Sequence, residues 1–321
     1  MTSLQQRLCN LLQRGLDICE RPFQQMAERL ASTESEVIEA ACQLRDQAVL
    51  RRIGPIIDPR ALGKAATLVT SHVPDPPLRQ VIEAVNSLEG VSHNYLRRHH
   101  YNLWFTLQAT SPGEIHEILD KLGRAWGIEL HSLSSRRTFK LEVYFDATGQ
   151  EPPGLLHSEP SQAGPVRLSS AERLVLADLQ KGLDIQARPF DHLARHVGSV
   201  AKVIQTIDSL IKKGAVRRIA GVLNHRTLGF TANIMLAAEV APELIEPAGL
   251  ALSRLSQVSH CYQRDSFAGW PYTLYAMLHG RSATELHDLA DAFCGSNHVR
   301  NVVLLETIEE LKKRPVIHAL T

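Results

Sequence analysis

The chain of 321 residues has almost no net charge, few aromatic residues and no long apolar run. Its 35 Lys and Arg nearly balance 34 Asp and Glu, leaving +1 at pH 7, so bulk electrostatics steer it toward neither nucleic acid nor an anionic membrane. The opening MTSLQQRLCNLLQRG is too polar for a signal peptide, and nothing approaches transmembrane length; the expectation is a soluble cytoplasmic protein away from membranes. The five cysteines (Cys9, Cys19, Cys42, Cys261, Cys294) form no CxxC pair or other zinc-like spacing, which reads as reduced thiols in a cytoplasm. Aromatics make up only 5%, yet 44% hydrophobic content over this length supplies the cores of two domains or more. What the chain does have is histidine, fifteen in all. VSHNYLRRHHYNLWFTLQA, residues 91–109, concentrates His and Arg at the entrance to an apolar strand.

The sequence is also written twice. LLQRGLDICERPFQQMAERL from Leu11 matches LADLQKGLDIQARPFDHLARHV from Leu176. AVLRRIGPIIDPRALG from Ala48 matches AVRRIAGVLNHRTLGF from Ala215, and GVSHNYLRRHHYNLWF from Gly90 matches QVSHCYQRDSFAGWPYTLY from Gln257. The near-constant offset marks an internal duplication. Between the halves, residues 146–167 are rich in Pro, Gly and Ser without any period, as in a linker.

Each half opens with helices. In the second, Ser169 or Ser170 can cap a helix with a glutamate close behind, and Pro189 suits a first helical turn. Val200, Val203, Ile204, Ile207, Leu210 and Ile211 then form one helical stripe. Gly214 ends that helix, and two short β-rich runs meet around Asn224-His225, so three helices and a small hairpin make a winged helix-turn-helix. A strand, helix, two strands, helix and strand follow in each half, the βαββαβ order of a ferredoxin-like sandwich. The predicted fold is α+β, a tandem duplication: winged helix-turn-helix at 1–62, ferredoxin-like at 63–146, linker at 147–167, then the same two domains at 168–229 and 230–321. The open sheet faces are expected to pair within the chain as a pseudo-dimer, with further homo-oligomerisation left open.

That domain order resembles the Lrp/AsnC transcription regulators. DNA binding is disfavoured all the same, because the first recognition helix carries Glu34, Glu36 and Glu39 at its N-terminal end, where phosphates would lie. The second, with Lys202 and Gln205, is less hostile. VSHNYLRRHHYNLWFT, the AVLRRIG wing and the strand SRRTFKLEV together resemble the sirohaem decarboxylase family, and the second half resembles the partner subunit, as if both subunit types were fused. The resemblance implies removal of CO₂ from two acetate side chains of sirohaem to give didecarboxysirohaem, for haem d1 or alternative haem biosynthesis. It implies no cofactor beyond the iron porphyrinoid substrate. The alternatives are an Lrp/AsnC-type regulator and a non-catalytic haem-binding sensor.

The residue types suit such a ligand, which needs arginine forks for carboxylates, flat apolar surface for the ring and a histidine for the iron. A proton must also reach the methylene carbon once CO₂ leaves, and histidine can carry it at neutral pH. His93 and its repeat mate His260 are the candidate proton donors, against the alternative of hydrogen-bonded sheet histidines. His99, which has Ser266 as its mate, is the candidate iron ligand, with a solvent-facing loop histidine as the alternative; His100 is the weaker choice. Arg97 and Arg264 are expected to grip carboxylates, Tyr95 and Tyr262 to stack or donate, and Trp104 and Trp270 to contact the macrocycle. The wing pairs Arg51-Arg52 and Arg217-Arg218 are expected to reach substrate carboxylates or to stay in solvent. Arg136, Arg137 and Lys140 form a further basic cluster.

Overall fold

The computed structural model describes the chain except residues 142, 151–163, 315, 319 and 321; most of the predicted linker therefore lies outside the described residues. Three helices, α1 (Ser3–Arg14), α2 (Pro22–Leu30) and α3 (Glu34–Asp46), lead into β1 (Leu50–Ile57). The sandwich of the first half follows as β2 (Ala65–Ser71), α4 (Leu78–Ser87), β3 (Val91–Arg97), β4 (Leu103–Ala109), α5 (Pro112–Trp126) and β5 (Leu130–Leu141). The second half repeats the order with α6 (Ser170–Leu179), α7 (Ala194–Val197), α8 (Val200–Lys212), β6 (Val216–Leu223), β7 (Ala232–Glu239), α9 (Ile245–Ser253), β8 (Val258–Arg264), β9 (Leu274–Gly280), α10 (Ala283–Ser296) and β10 (Asn301–Lys313).

Local signals place the helices. Ser169 caps α6 in a reciprocal box with Glu172, which satisfies two amide donors left over at the first turn. Ser199 caps α8, whose predicted stripe buries Val203, Ile207 and Leu210. The carboxylates at the start of α3 are committed to the protein itself: Glu36 closes a capping box with Thr33, and Glu34 pairs with Arg21.

The wings depart from the predicted hairpins. Each half contributes one strand, and β1 pairs antiparallel with β6 of the other half from Leu50↔Leu223 to Ile57↔Val216. Only the run before the expected turn is a strand, eight residues long in each half. The residues after it form turns, and the mate related by the duplication satisfies the strand's backbone groups. Helix α1 lies so close on β6 that a Cβ on Gly221 would stand 2.8 Å from the Leu12 Cβ. The apolar residues of both helical units consequently form one continuous core.

The two sandwiches close into a single eight-stranded barrel in the order β10-β3-β4-β2-β5-β8-β9-β7. The long strands β5 and β10 make the closure. β10 pairs with β7 through Glu306 and then, from Thr307, with β3 of the first half; β5 likewise passes from β2 to β8. Among the described residues the barrel itself leaves no strand edge open. Helix-facing residues such as Val69, Val91 and Phe105 pack under α4 and α5, whereas Leu68, Trp104, Leu133, Trp270, Tyr275 and Leu305 form a separate cluster. The expected pseudo-dimer is therefore present, formed by edge pairing as well as by facing sheets. No helix among the described residues is long and apolar enough to cross a membrane.

Candidate functional site

On β3, His93, Tyr95 and Arg97 alternate with residues that pack under the helices, and so share one face of the strand. His260, Tyr262 and Arg264 repeat the arrangement on β8. The His93 and Tyr95 rings lie 6.3 Å apart at 24°, and His260 and Tyr262 lie 6.2 Å apart at 17°. Each histidine is oriented by the preceding serine: Ser92 Oγ is 2.8 Å from His93 Nδ1, and Ser259 Oγ is 2.9 Å from His260 Nδ1. Both are therefore sheet histidines with hydrogen bonds, and each still presents Nε2.

The first half-site draws on both halves of the chain. Lys313 of β10 stands in register with His93, and its Nζ lies 3.5 Å from Nδ1 of His225 and 3.5 Å from Glu310. His225 follows β6 and stacks on Phe145 at 5.4 Å, while His279 meets both rings edge-on, at 5.2 and 5.3 Å. Burial, then the Lys313 charge, pushes His93 down to about 4; Arg51 adds to this and Glu310 opposes it. His225 is likewise pushed to about 4 by burial and Lys313. Tyr95 is pushed up to about 12 by burial, and the charges bearing on it include Arg226 and Arg51. This is a set of neutral imidazoles in a cationic surround. Its exposed cations, Arg51 and Arg226, make no ion pair among the described residues.

The second half-site is built differently. His260 is pushed to about 3 by burial first, then by His93, Arg264, Arg217 and Lys140. In register with His260 stands Leu141, where the first half-site has Lys313. Arg217 donates to Asp58 at 3.0 Å with both side chains buried, 9% and 3% exposed.

Several predicted site residues have other work. Arg97 is buried, with Nη1 donating to the Leu305 carbonyl at 2.7 Å and to Thr307 Oγ1 at 3.2 Å; Arg264 donates to the Leu133 carbonyl at 2.9 Å. Both guanidiniums cover the tyrosine two residues earlier, at 5.1 and 4.5 Å. They tie the seams where β10 and β5 change partner, so the expected carboxylate forks are committed to main chain instead. Trp104 and Trp270 are 1% and 2% exposed; their indoles donate to Tyr101 O and Tyr275 Oη, leaving no ring face for a macrocycle. His99 sits past the far end of β3, accepting from the Tyr101 amide at 3.0 Å and lying edge-on to Trp270. Four extended residues already separate His93 from Arg97, on the order of 13 Å, so His99 belongs to the aromatic cluster rather than to the histidine site. His100 stacks on His72. Of the wing pairs, Arg51 and Arg217 face the histidine sites. Arg218 turns back to donate to Gln13 O, and Arg52 is buried against the helical unit, its Nη1 beside Gly54. Arg136 and Arg137 pair with Asp265 and Glu246 at the surface, and Lys140 donates to Leu255 O.

Sequence reasoning missed His225, Lys313, Glu310, Phe145, Arg226, His279 and Asp58. The available signal was the NHR triplet after the second wing, which the hairpin reading spent on a turn. Two open grooves, one lined by Leu62, Lys64, Val166 and Leu320 and one by Glu172, His196 and Lys202, lie on the helical units and bring none of these residues together.

Comparison with known proteins accords with this architecture. Residues 5–51 match the "Siroheme decarboxylase NirDL-like HTH domain", and residues 61–140 and 227–312 match the "AsnC-like ligand binding domain". Siroheme decarboxylase of Hydrogenobacter thermophilus is 30% identical over 312 residues, covering 96% of this chain and 92% of that protein. The siroheme decarboxylase NirDL subunit of Paracoccus denitrificans is 34% identical over 91% of this chain and 90% of its own length. The NirD subunit of Pseudomonas aeruginosa, by contrast, matches only 45% of this chain with 96% of its length, as expected when one subunit corresponds to one half. A crystal structure of the siroheme decarboxylase NirDL aligns over 98% of this chain and 94% of that one, at TM-score 0.76 and 26% identity, and another was solved with an iron-uroporphyrin III analogue. A duplicated Lrp/AsnC-like architecture, a cationic histidine site between its halves and full-length similarity together place this enzyme in the siroheme decarboxylase family, in the form that joins both subunits in one chain.

Proposed function

We propose that the protein is a carboxy-lyase that removes CO₂ from two acetate side chains of sirohaem to give didecarboxysirohaem, for haem d1 or alternative haem biosynthesis, in the cytoplasm and with no cofactor beyond the substrate. The observation that carries this reading is the convergence of two neutral imidazoles, half-buried His93 and buried His225, with Lys313, Arg51 and Arg226. A polycarboxylate brings the negative charge that Arg51 and Arg226 lack among the described residues, and Tyr95 offers an apolar ring beside it. Each step breaks one C–CO₂ bond, and the electron pair enters the conjugated macrocycle. One proton then forms the C–H bond of the new methyl group. His93 is the assigned donor, and His260 is its counterpart by sequence in a half-site whose Arg217 is already paired with Asp58. Both are neutral at pH 7 without ligand, so each must first gain a proton, which substrate carboxylates favour by offsetting Lys313 and Arg51.

The test is anaerobic incubation with sirohaem followed by product mass. Loss of two carboxyl groups is the expected outcome, whereas an intact ligand with a shifted Soret band would leave only a haem-binding sensor. For the DNA-binding regulator no structural observation speaks, since Glu34 and Glu36 remain at the start of α3.

A further inference from the structure

The duplication builds two half-sites, and one of the positions at which they differ decides which arginines stay open to a ligand. Aligning AVLRRIGPIIDPRALG with AVRRIAGVLNHRTLGF sets Arg51 beside Arg217, Arg60 beside Arg226 and Asp58 beside Asn224. On the His260 side, Asp58 accepts from Arg217 at 3.0 Å and lies 3.5 Å from Arg60 Nε, with its carboxylate 3% exposed. On the His93 side, the mates Arg51 and Arg226 are exposed and make no ion pair among the described residues. The Oδ1 of Asn224 is buried there and has no hydrogen-bond partner among those residues. The cations that could receive a carboxylate are thus open in one half-site and already occupied in the other.

We infer that Asp58 stands in for a substrate carboxylate and keeps the His260 half-site closed, so that each chain holds one iron porphyrinoid, on the His93 side. This rests on the reading of the substrate given above. An arginine whose charge is balanced by a buried internal carboxylate gains little from a second one, because like charges would then share one cation. Asn224 is close to Asp58 in shape but carries no charge, so it leaves Arg51 for the ligand. Asp58 is therefore a specificity-determining residue for stoichiometry.

The experiment titrates the full chain anaerobically with iron uroporphyrin III, following the Soret band, and counts equivalents bound. Wild type takes up one; Asp58→Asn, with unchanged far-ultraviolet circular dichroism, takes up two. The mirror change Asn224→Asp installs the stand-in beside Arg51, weakens binding at least tenfold and decides the matter if Asp58→Asn does not fold. One equivalent in both wild type and folded Asp58→Asn overturns the inference alone, as does unaltered affinity in Asn224→Asp. Two equivalents in wild type also overturn it. No binding by wild type overturns the substrate reading and this inference with it.

Discussion

Lys313 Nζ lies 3.5 Å from Nδ1 of His225, and the two residues reach that position from distant parts of the second half. Lys313 also stands in register with His93, so one half-buried ammonium bears on two imidazoles and helps to hold both neutral. That relationship sets the pH behaviour of the site.

Replacing the lysine isolates it. In Lys313→Met the half-buried cation is gone, and the pKa of His93 should rise from about 4 toward the ordinary value. Histidine titration by NMR checks the direction; a pKa that stays put would show that burial alone sets it. Affinity for iron uroporphyrin III should fall by about tenfold, the loss of one charge-assisted contact of roughly 1.4 kcal/mol.

Binding should take up protons. Without ligand, His93 and His225 are both neutral at pH 7, and an incoming polyanion raises the pKa of each. Calorimetry at pH 7 in two buffers of different ionisation enthalpy measures the uptake, expected at about one proton per ligand. Identical heats in both buffers would contradict the expectation.

The histidines separate by role. His93→Gln should lower kcat by about 10²-fold or more, the usual worth of a positioned acid, while ligand affinity changes little. His99→Ala should leave the Soret band of the bound ligand where it was and lower Tm instead, since the ring packs on Trp270. A moved Soret band in His99→Ala would return that residue to the iron.

Arg97 serves the barrel seam. Arg97→Ala leaves the Leu305 carbonyl without its 2.7 Å donor and opens a cavity over Tyr95, for a loss on the order of 3 kcal/mol in urea unfolding. A variant of wild-type stability that binds ligand poorly would restore Arg97 as a carboxylate fork.

Acid should destabilise the protein in a defined window. His93 and His225 titrate at about 4 and His260 at about 3 when folded, against about 6.5 unfolded. Between those values the unfolded chain binds more protons, so stability is full above pH 6.5 and falls as pH drops toward 4. Each histidine contributes at most about 1.4 kcal/mol per pH unit there. Urea unfolding at pH 7 and pH 5 measures the slope, and His93→Gln should flatten it.

Most of the fold was legible because its signals are local or repeated. The Ser169 cap, the α8 stripe and the βαββαβ order each depend on neighbours within a turn or a strand. Strand alternation likewise puts Phe105 under the helices and Trp104 in the other cluster. The wings were misread because an eight-residue strand and a broken hairpin share one pattern, and the choice depends on a partner in the other half, 166 residues away at Gly54↔Ala220 (220 less 54). The candidate site was half legible. His93, Tyr95 and Arg51 lie together, as do His260, Tyr262 and Arg217, while Arg97, Arg264, Trp104 and Trp270, assigned to ligand by residue type, are engaged in main-chain and core contacts.

By itself the sequence determined the duplication, the order of elements and the face of each strand, because those follow from periodicity and capping along the chain. Only the tertiary structure decided that β5 and β10 cross between halves, that His225 and Lys313 join His93, and that Asp58 occupies one arginine and leaves its mate free. Those are contacts between segments far apart in sequence, and burial and charge at a site are sums over such contacts. VSHNYLRRHH names a histidine and an arginine equally well for chemistry; closing the barrel assigns the histidine to the site and the arginine to the seam.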